Sequence, residues 1–105
     1  MSIPVDVAEL GKTLADFGAG YLLTTSGDGR VKAVSIAPEL VHGDLVVRVP
    51  GRGSCANATA NATVTALFPP LVAPGFSLIV DGTAVVEGDD VRLVPTSAIL
   101  HRSAG

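Results

Sequence analysis

Short runs of strand-forming residues, separated by tight glycine turns, place the strongest limit on how this chain can fold. Tyr21–Thr25 is rich in strand formers, Gly27-Asp28-Gly29 is a hairpin turn signal, and Val31–Ala37 follows as a return strand with side chains on alternate faces. A second hairpin is predicted from Glu39–Val41 and Leu45–Val49. The pattern favours an antiparallel sheet.

Further strands are predicted in the second half of the chain, at Val64–Phe68, at Phe76–Glu87 and from Val91 up to a break at Pro95. Gly82, inside the longest of them, predicts a bulge or a bend. The segment Thr96–Arg102 is compatible with an extended chain or a final helical turn. Six or seven strands as apolar as these have to close or pack to protect their edges, so we expect a small barrel.

Two helices are predicted beside the strands. Asp6 is placed to cap the first, with Glu9 three residues later to close a capping box. The apolar face of this helix consists of Val7, Leu10, Leu14 and Phe17. The second helix is the alanine-rich Ser54–Ala62. The expected fold is therefore mainly β, a single domain over residues 1–105 with an N-terminal helix and one short helix between strands.

The junction between a strand and the second helix is the strongest candidate for a binding site. Two glycines flank Arg52 there, directly before the helix. Free backbone N–H groups and the positive end of the helix dipole lie at such a terminus, and Arg52 adds a full charge. We expect Arg52 and Ser54 to bind a phosphate; an ordinary surface arginine in a glycine-rich turn is the alternative.

The chain has more apolar residues than the interior of a small domain needs. Apolar residues make up 48% of its 105 residues and charged residues 16%, and the mean hydropathy is +0.51. We therefore expect part of the apolar surface to lie in a subunit interface, in a twofold homodimer. A net charge of −3 provides no basic field for nucleic acid.

The sequence pattern points to the cytoplasm. The first ten residues have neither a basic flank nor a long apolar run, and no segment approaches the roughly 18 apolar residues that a membrane span requires. Cys55 is the single cysteine and cannot form an internal disulfide. Together with two distant histidines it predicts no metal site.

Several stretches, taken in order, carry a resemblance to a known family. They are Tyr21–Thr25 followed by Gly27–Val31, Arg52–Asn57 before Ala62–Thr65, and Ser77–Ala84. Nearly the whole chain, from Gly20 to Arg102, resembles the pyridoxamine 5′-phosphate oxidase-like family of split barrels, which bind flavin mononucleotide (FMN). The resemblance implies a small antiparallel split β-barrel and a homodimer with two FMN sites at the subunit interface.

The resemblance also implies which residues hold the cofactor. Family members commonly carry Arg-x-Lys-x-x-Asn before the helix, and here Arg52 and Asn57 match the first and last positions, with Gly53 between Arg52 and Ser54. Ser54 stands where the lysine is usual, so one charge is lost, and Lys32 would restore it if its face of the preceding hairpin points toward the site.

The flavin ring position also follows from the resemblance. The ring would lie along the second strand, around Val34, Ser35 and Ile36. No catalytic residue is assigned.

Three classes of function remain open from the sequence. A flavin-dependent oxidoreductase of unknown substrate and electron donor is the first, since the flavin itself carries the chemistry. The second is a binding module for a flavin, the deazaflavin F420 or a tetrapyrrole, without turnover. The third is a cofactor-free dimeric barrel, which Ser54 and an aromatic content of 4% favour.

Four other residues are interpreted as structural or solvent-facing. Arg30 and His42 are expected to be solvated beside turns, and Cys55 to be a small inert side chain. His101 is expected in a polar tail, with a contact to the partner subunit's site as the alternative.

Overall fold

The structure, a computed structural model, describes residues 1–103. Its strands are β1 (Ser2–Val5), β2 (Gly20–Thr25), β3 (Val31–Ile36), β4 (Glu39–Val41), β5 (Asp44–Val47), β6 (Thr63–Phe68), β7 (Ser77–Glu87) and β8 (Asp90–His101). A 3-10 turn (Val7–Glu9) leads into helix α1 (Leu10–Leu14), and helix α2 (Arg52–Ala60) joins β5 to β6. The mainly β architecture with two short helices confirms the predicted fold class.

All the strand pairs in residues 1–103 are antiparallel. The order across the sheet is β3-β2-β6-β7-β8-β5-β4, and β1 adds to β8. The face that turns inward carries the core, whose largest fully buried side chains include Leu22, Phe68, Leu78 and Leu93. Leu10 and Ala58 join this core from the two helices, so α2 is seated against the sheet and its first turn is held in place.

The N-terminal region differs from the prediction. Asp6 caps as expected, since its carboxylate accepts from the Ala8 N–H at 3.0 Å. The capping box is wrong, because Glu9 pairs with Lys12 at 2.9 Å instead of reaching back. The helix ends at Leu14 and is shorter than predicted. Strand β1 was not predicted at all; it exists because β8 supplies its hydrogen-bonding partners.

The predicted break at Pro95 is wrong, while the predicted bulge at Gly82 is confirmed. Strand β8 runs through Pro95 to His101, which settles Thr96–Arg102 as largely extended. The register with β7 shifts between Asp81 and Gly82, leaving Thr96 as the extra residue. A proline is tolerated beside such a bulge because the ladder hydrogen bonds are already interrupted there.

The bounds around α2 also differ from the prediction. Strand β5 ends at Val47, not Val49, and α2 begins at Arg52, not Ser54. The four residues between them form the turn that brings the chain into the helix. No helix among residues 1–103 is long and apolar enough to cross a membrane.

Candidate functional site

Helix α2 begins without a side-chain cap. Gly51 precedes its first turn with a φ of 113°, a conformation that favours glycine, and glycine has no side chain to accept from the helix N–H groups. The N–H groups of the first turn therefore keep their capacity to donate, at the positive end of the helix dipole. Arg52, the first helical residue, is exposed and adds a full positive charge.

Lys32 reaches the same place from strand β3. In the β2–β3 ladder it lies opposite Thr24, which is fully buried, so both side chains project from the inner face of the sheet. The Lys32 Nζ lies 2.5 Å from the point that a Cβ on Gly53 would occupy. Glycine at position 53 therefore leaves the space in which the Lys32 ammonium group contacts the first turn of α2. Residues 48–54 together with Lys32 are called the α2 corner below.

Ser54 is buried inside the α2 corner. It is 1% exposed, and its Oγ has no hydrogen-bond partner among residues 1–103. A buried polar group left without a partner is destabilising by about 1–3 kcal/mol, and such groups are uncommon in native proteins. The serine that stands in place of the expected lysine is thus an unsatisfied polar group beneath the turn, whereas Arg52 projects from it.

Asn57 links α2 to the sheet through a side-chain hydrogen bond. Its Nδ2 donates to the Oγ1 of Thr24 at 3.2 Å. Because Thr24 is the partner of Lys32 in the ladder, this hydrogen bond fixes the helix relative to the strand that carries Lys32. Asn57 therefore has a structural partner within one subunit.

The three ring-binding residues predicted on β3 do not share one face of the sheet, and Ile36 is buried in the core. Val34 is half-buried and shares the inner face with Lys32, whereas Ser35 is exposed on the outer face, opposite Tyr21. Strand β3 ends the strand order within residues 1–103, so one side of its backbone is not paired with another strand. A flat ligand along this edge would meet the Val34 side chain and free backbone groups.

An acidic side chain from the β7–β8 turn holds the segment before α2. Val49 has a φ of 47°, which is strained for a β-branched residue. Its backbone N–H donates to Asp90 Oδ1 at 2.9 Å, and Arg48 Nη1 lies 3.1 Å from Asp90 Oδ2. The Val49 N–H first, and Arg48 second, lower the pKa of Asp90 below its usual value. Asp90 thus stabilises the strained turn that positions α2.

A cleft of about 380 Å³ opens beside α2. It is lined by Val49, Gly51, Arg52, Cys55 and Asp89, and is called the Asp89 cleft below. Successive helix residues are rotated by about 100°, so Cys55 lies about 200° around the helix from Gly53. The Asp89 cleft and Lys32 are therefore on opposite sides of α2, and Arg52 lies between them.

Cys55 has the properties of an inert thiol. Its Sγ lies 3.4 Å from the backbone carbonyl oxygen of Asp89, to which it donates. Burial, with smaller contributions from Asp89 and Asp90, raises the pKa of the thiol. The protonated form is therefore favoured at neutral pH, in contrast to a nucleophilic cysteine.

The histidines lie away from the α2 corner. His42 is exposed in the turn between β4 and β5, and His101 ends β8, the strand that begins at Asp90 near α2. His101 Nδ1 lies 3.0 Å from Ser2 Oγ. Within residues 1–103, no three His, Cys, Asp or Glu side chains are grouped as metal ligands.

Sequence reasoning missed Asp90 as a support of the site. Val49 lies 41 residues before Asp90 along the chain. No local spacing connects residues so far apart.

Comparisons with known proteins place the chain among split barrels. No protein-family model matches it. It is 34% identical to an uncharacterized protein of Mycobacterium bovis, over 116 aligned positions that cover 95% of this chain and 82% of the relative. A Mycobacterium tuberculosis protein, also uncharacterized, gives the same values.

Three solved structures share the fold over nearly the whole chain. A FAD-binding protein of Mesorhizobium loti has a TM-score of 0.70 at 17% identity, and the match covers 95% of this chain and 96% of that protein's chain. A FAD-binding protein of Mycobacterium smegmatis has a TM-score of 0.67 at 19% identity, covering 96% and 98%. A Corynebacterium glutamicum protein, provisionally named a pyridoxamine 5′-phosphate oxidase, has a TM-score of 0.67 at 15% identity, covering 98% and 100%.

At these identities the three structures show the fold and nothing further. Their agreement over both chains confirms the expected resemblance to pyridoxamine 5′-phosphate oxidase-like proteins at that level. The chain has the split-barrel fold of those proteins and belongs to the same family as the two mycobacterial relatives.

Proposed function

We propose that this chain binds a flavin nucleotide by holding its phosphate at the α2 corner. FMN is the smallest flavin that carries the required phosphate. The observation that carries the proposal is the position of Lys32 against Gly53, which sets a second positive charge beside Arg52 at the uncapped end of α2. Two of the solved structures with this fold are FAD-binding proteins, which supports a flavin as the ligand.

The α2 corner fits a phosphate by charge and by donors. A phosphate monoester carries about −1.5 to −2 charges at neutral pH, and Lys32 and Arg52 together offer two positive charges. The free N–H groups of the first helical turn add donors with a fixed direction. Ser54 Oγ is a further polar atom without a partner in the described chain. Lys32 thus replaces the charge that serine at position 54 omits.

We further propose a homodimer with the flavin at the subunit interface. An apolar row crosses the outer face of the sheet through directly paired residues, namely Tyr21, Leu67, Ile79 and Ile99. Tyr21 is 44% exposed, and Val31 on the same face is 65% exposed. Burial of this face against a second copy would remove the row from water. Sedimentation velocity tests the dimer, and a monomer at micromolar concentration would contradict it.

A flavin-dependent oxidoreductase is the activity that this arrangement supports best. A bound flavin would supply hydride or electron transfer between a reductant and a small substrate. The chain itself would hold the phosphate through Lys32 and Arg52, orient the ring along β3, and exclude water with the inner face around Val34. No side chain of this chain is assigned a proton transfer.

The first test is whether the purified protein retains FMN. FMN is added, the protein is desalted, and the visible absorption spectrum is recorded. We expect close to one flavin per chain for the natural protein and for Arg30→Ala, an exposed arginine of the neighbouring hairpin. Arg52→Ala and Lys32→Ala should lose most of the flavin while remaining folded by circular dichroism.

Two outcomes would redirect the proposal. Loss of both FMN and FAD from the natural protein on desalting would contradict flavin binding and leave F420, a tetrapyrrole or a cofactor-free dimer as the alternatives. Retained flavin that is reduced and reoxidised no faster than free FMN would select a binding module over an enzyme.

A further inference from the structure

The Asp89 cleft borders the proposed phosphate site and shares Val49, Gly51 and Arg52 with it, whereas its other walls, Cys55 and Asp89, have no role in holding the flavin ring or its phosphate. It lies on the side of α2 away from Lys32 and β3, and Arg52 separates the two sides. A ligand whose phosphate lies at the first turn of α2, and whose ring follows β3, would contact the Arg52 side of this cleft and leave the space beside Cys55 and Asp89 empty. An extension of the ligand beyond the phosphate would enter it.

We propose that the Asp89 cleft is a nucleoside subsite, which takes the adenosine half of a flavin dinucleotide whose phosphates lie at the α2 corner. The inference rests on the proposed phosphate site and extends it. It assigns FAD, rather than FMN, as the preferred cofactor. The volume of about 380 Å³ falls within the range of small-molecule pockets.

The walls of the cleft match the chemistry of an adenosine. Among residues 1–103, the Asp89 carboxylate is exposed and engaged in no salt bridge or side-chain hydrogen bond. A carboxylate facing a phosphate at a helix N-terminus is suited to accept from ribose hydroxyl groups. Val49, which is 67% exposed, and Cys55 offer apolar contact to a base.

The charge of the cleft selects among possible extensions. Asp89 lies beyond Arg52 and repels further anionic groups, such as a carboxylate-bearing tail. An adenosine is neutral and presents hydroxyl and amino donors, which an acidic wall accepts. The Asp89 cleft therefore favours a nucleoside over an acidic extension.

The two walls of the cleft are joined before any ligand arrives. Cys55 Sγ contacts the Asp89 carbonyl oxygen at 3.4 Å, and the Val49 N–H donates to Asp90 at 2.9 Å. The β7–β8 turn is thus fixed to both the helix and the segment before it. Such fixed walls reduce the loss of conformational freedom on binding.

Isothermal titration of FAD and FMN into the intact protein tests the subsite. We expect FAD to bind about tenfold more tightly than FMN, because a hydrogen bond to a charged group contributes on this scale. Asp89→Ala should bring FAD affinity close to that of FMN and leave FMN affinity within about twofold of the natural protein. The matched control is Asp16→Ala, which removes the same charge from an exposed site beside α1.

The outcomes separate the subsite from the phosphate site. Equal affinities for FAD and FMN, or an Asp89→Ala variant that keeps the natural ratio of the two, would overturn the nucleoside subsite and leave the phosphate site standing. Binding of neither flavin would overturn the phosphate site and the subsite together. Thermal melts of both variants establish that each is folded.

Discussion

The β7–β8 hairpin and the α2 corner differ in how far packing and hydrogen bonding within the chain account for their structure. Along the hairpin, residues pair from Ser77 with His101 to Glu87 with Asp90 on both sides of the bulge at Thr96, and alternate β7 residues from Leu78 to Ala84 are buried. At the α2 corner, Val49 is strained and Ser54 Oγ is unsatisfied. Packing and hydrogen bonding account for the structure of the β7–β8 hairpin. Strain and open donors at the α2 corner are typical of a place that a ligand completes.

Leu93→Ala should have the largest effect, since it acts in the hairpin. Leu93 is fully buried, and truncating such a leucine lowers the free energy of unfolding by about 2–5 kcal/mol. Urea denaturation measures the loss. Flavin affinity of the folded fraction should not change, because Leu93 does not contribute to the α2 corner. A loss of stability below about 1 kcal/mol would contradict the burial argument.

Gly53→Ala should weaken ligand binding without weakening the fold. The new Cβ takes the place of the Lys32 Nζ, so the ammonium group moves and FMN affinity should fall about tenfold. Alanine is also a better helix residue than glycine, by up to about 1 kcal/mol. Titration with FMN and thermal melts measure the two effects.

A control for this variant lies in the neighbouring hairpin. Gly27→Ala adds a methyl group where no atom lies within 4 Å and should leave FMN affinity unchanged. Unchanged FMN affinity in a folded Gly53→Ala protein would show that Lys32 does not need the space beside the helix.

Val49→Asn should raise stability by about 1 kcal/mol. Asparagine adopts positive φ more readily than a β-branched residue, and strain at such positions is of this order. Val49 is exposed, so little apolar contact is lost. Thermal melts at neutral pH measure the gain. A lower melting temperature would mean that Val49 relieves its strain in another way.

Asp90→Asn should have the smallest effect, and its size should depend on pH. The pKa of Asp90 is lowered in the folded chain, mainly by the Val49 N–H and then by Arg48. Its contribution to stability is therefore complete above the unfolded-state value of about 4 and is lost as pH falls through the lower folded value. Urea denaturation from pH 7 to 2.5 should show the difference between natural and variant protein shrinking below about pH 4. A difference that stays constant would contradict this assignment.

The sequence predicted those parts of the fold that depend on local pattern. Strands β2, β3, β6 and β7 were found because alternation and turn residues are local signals. Strand β1 was missed because it depends on pairing such as that of Ser2 with His101, 99 residues apart. The break at Pro95 was predicted because a proline usually ends pairing, and the bulge at Thr96 that tolerates it depends on β7.

The residues of the candidate site divide in the same way, into those that a local pattern identifies and those that only the tertiary fold brings together. Arg52 and Gly53 lie within one local motif, so they could be identified from the sequence. The role of Lys32 was predicted only on the condition that its face of β3 points toward the site. The pairing of Lys32 with Thr24 determines that direction. Asp89 and Asp90 reach α2 through the tertiary fold alone, and no pattern along the chain could have shown them.

The central claim is that Lys32 and Arg52 hold the flavin phosphate, and the affinity difference between FMN and riboflavin measures it directly. The two ligands differ in the phosphate alone, so isothermal titration of each isolates its contribution. We predict that the natural protein and Arg30→Ala bind FMN more than tenfold more tightly than riboflavin, at about 1.4 kcal/mol per tenfold. In the Lys32→Ala, Arg52→Ala double variant the two affinities should converge, with riboflavin affinity unchanged. Equal affinities in the natural protein would contradict the account.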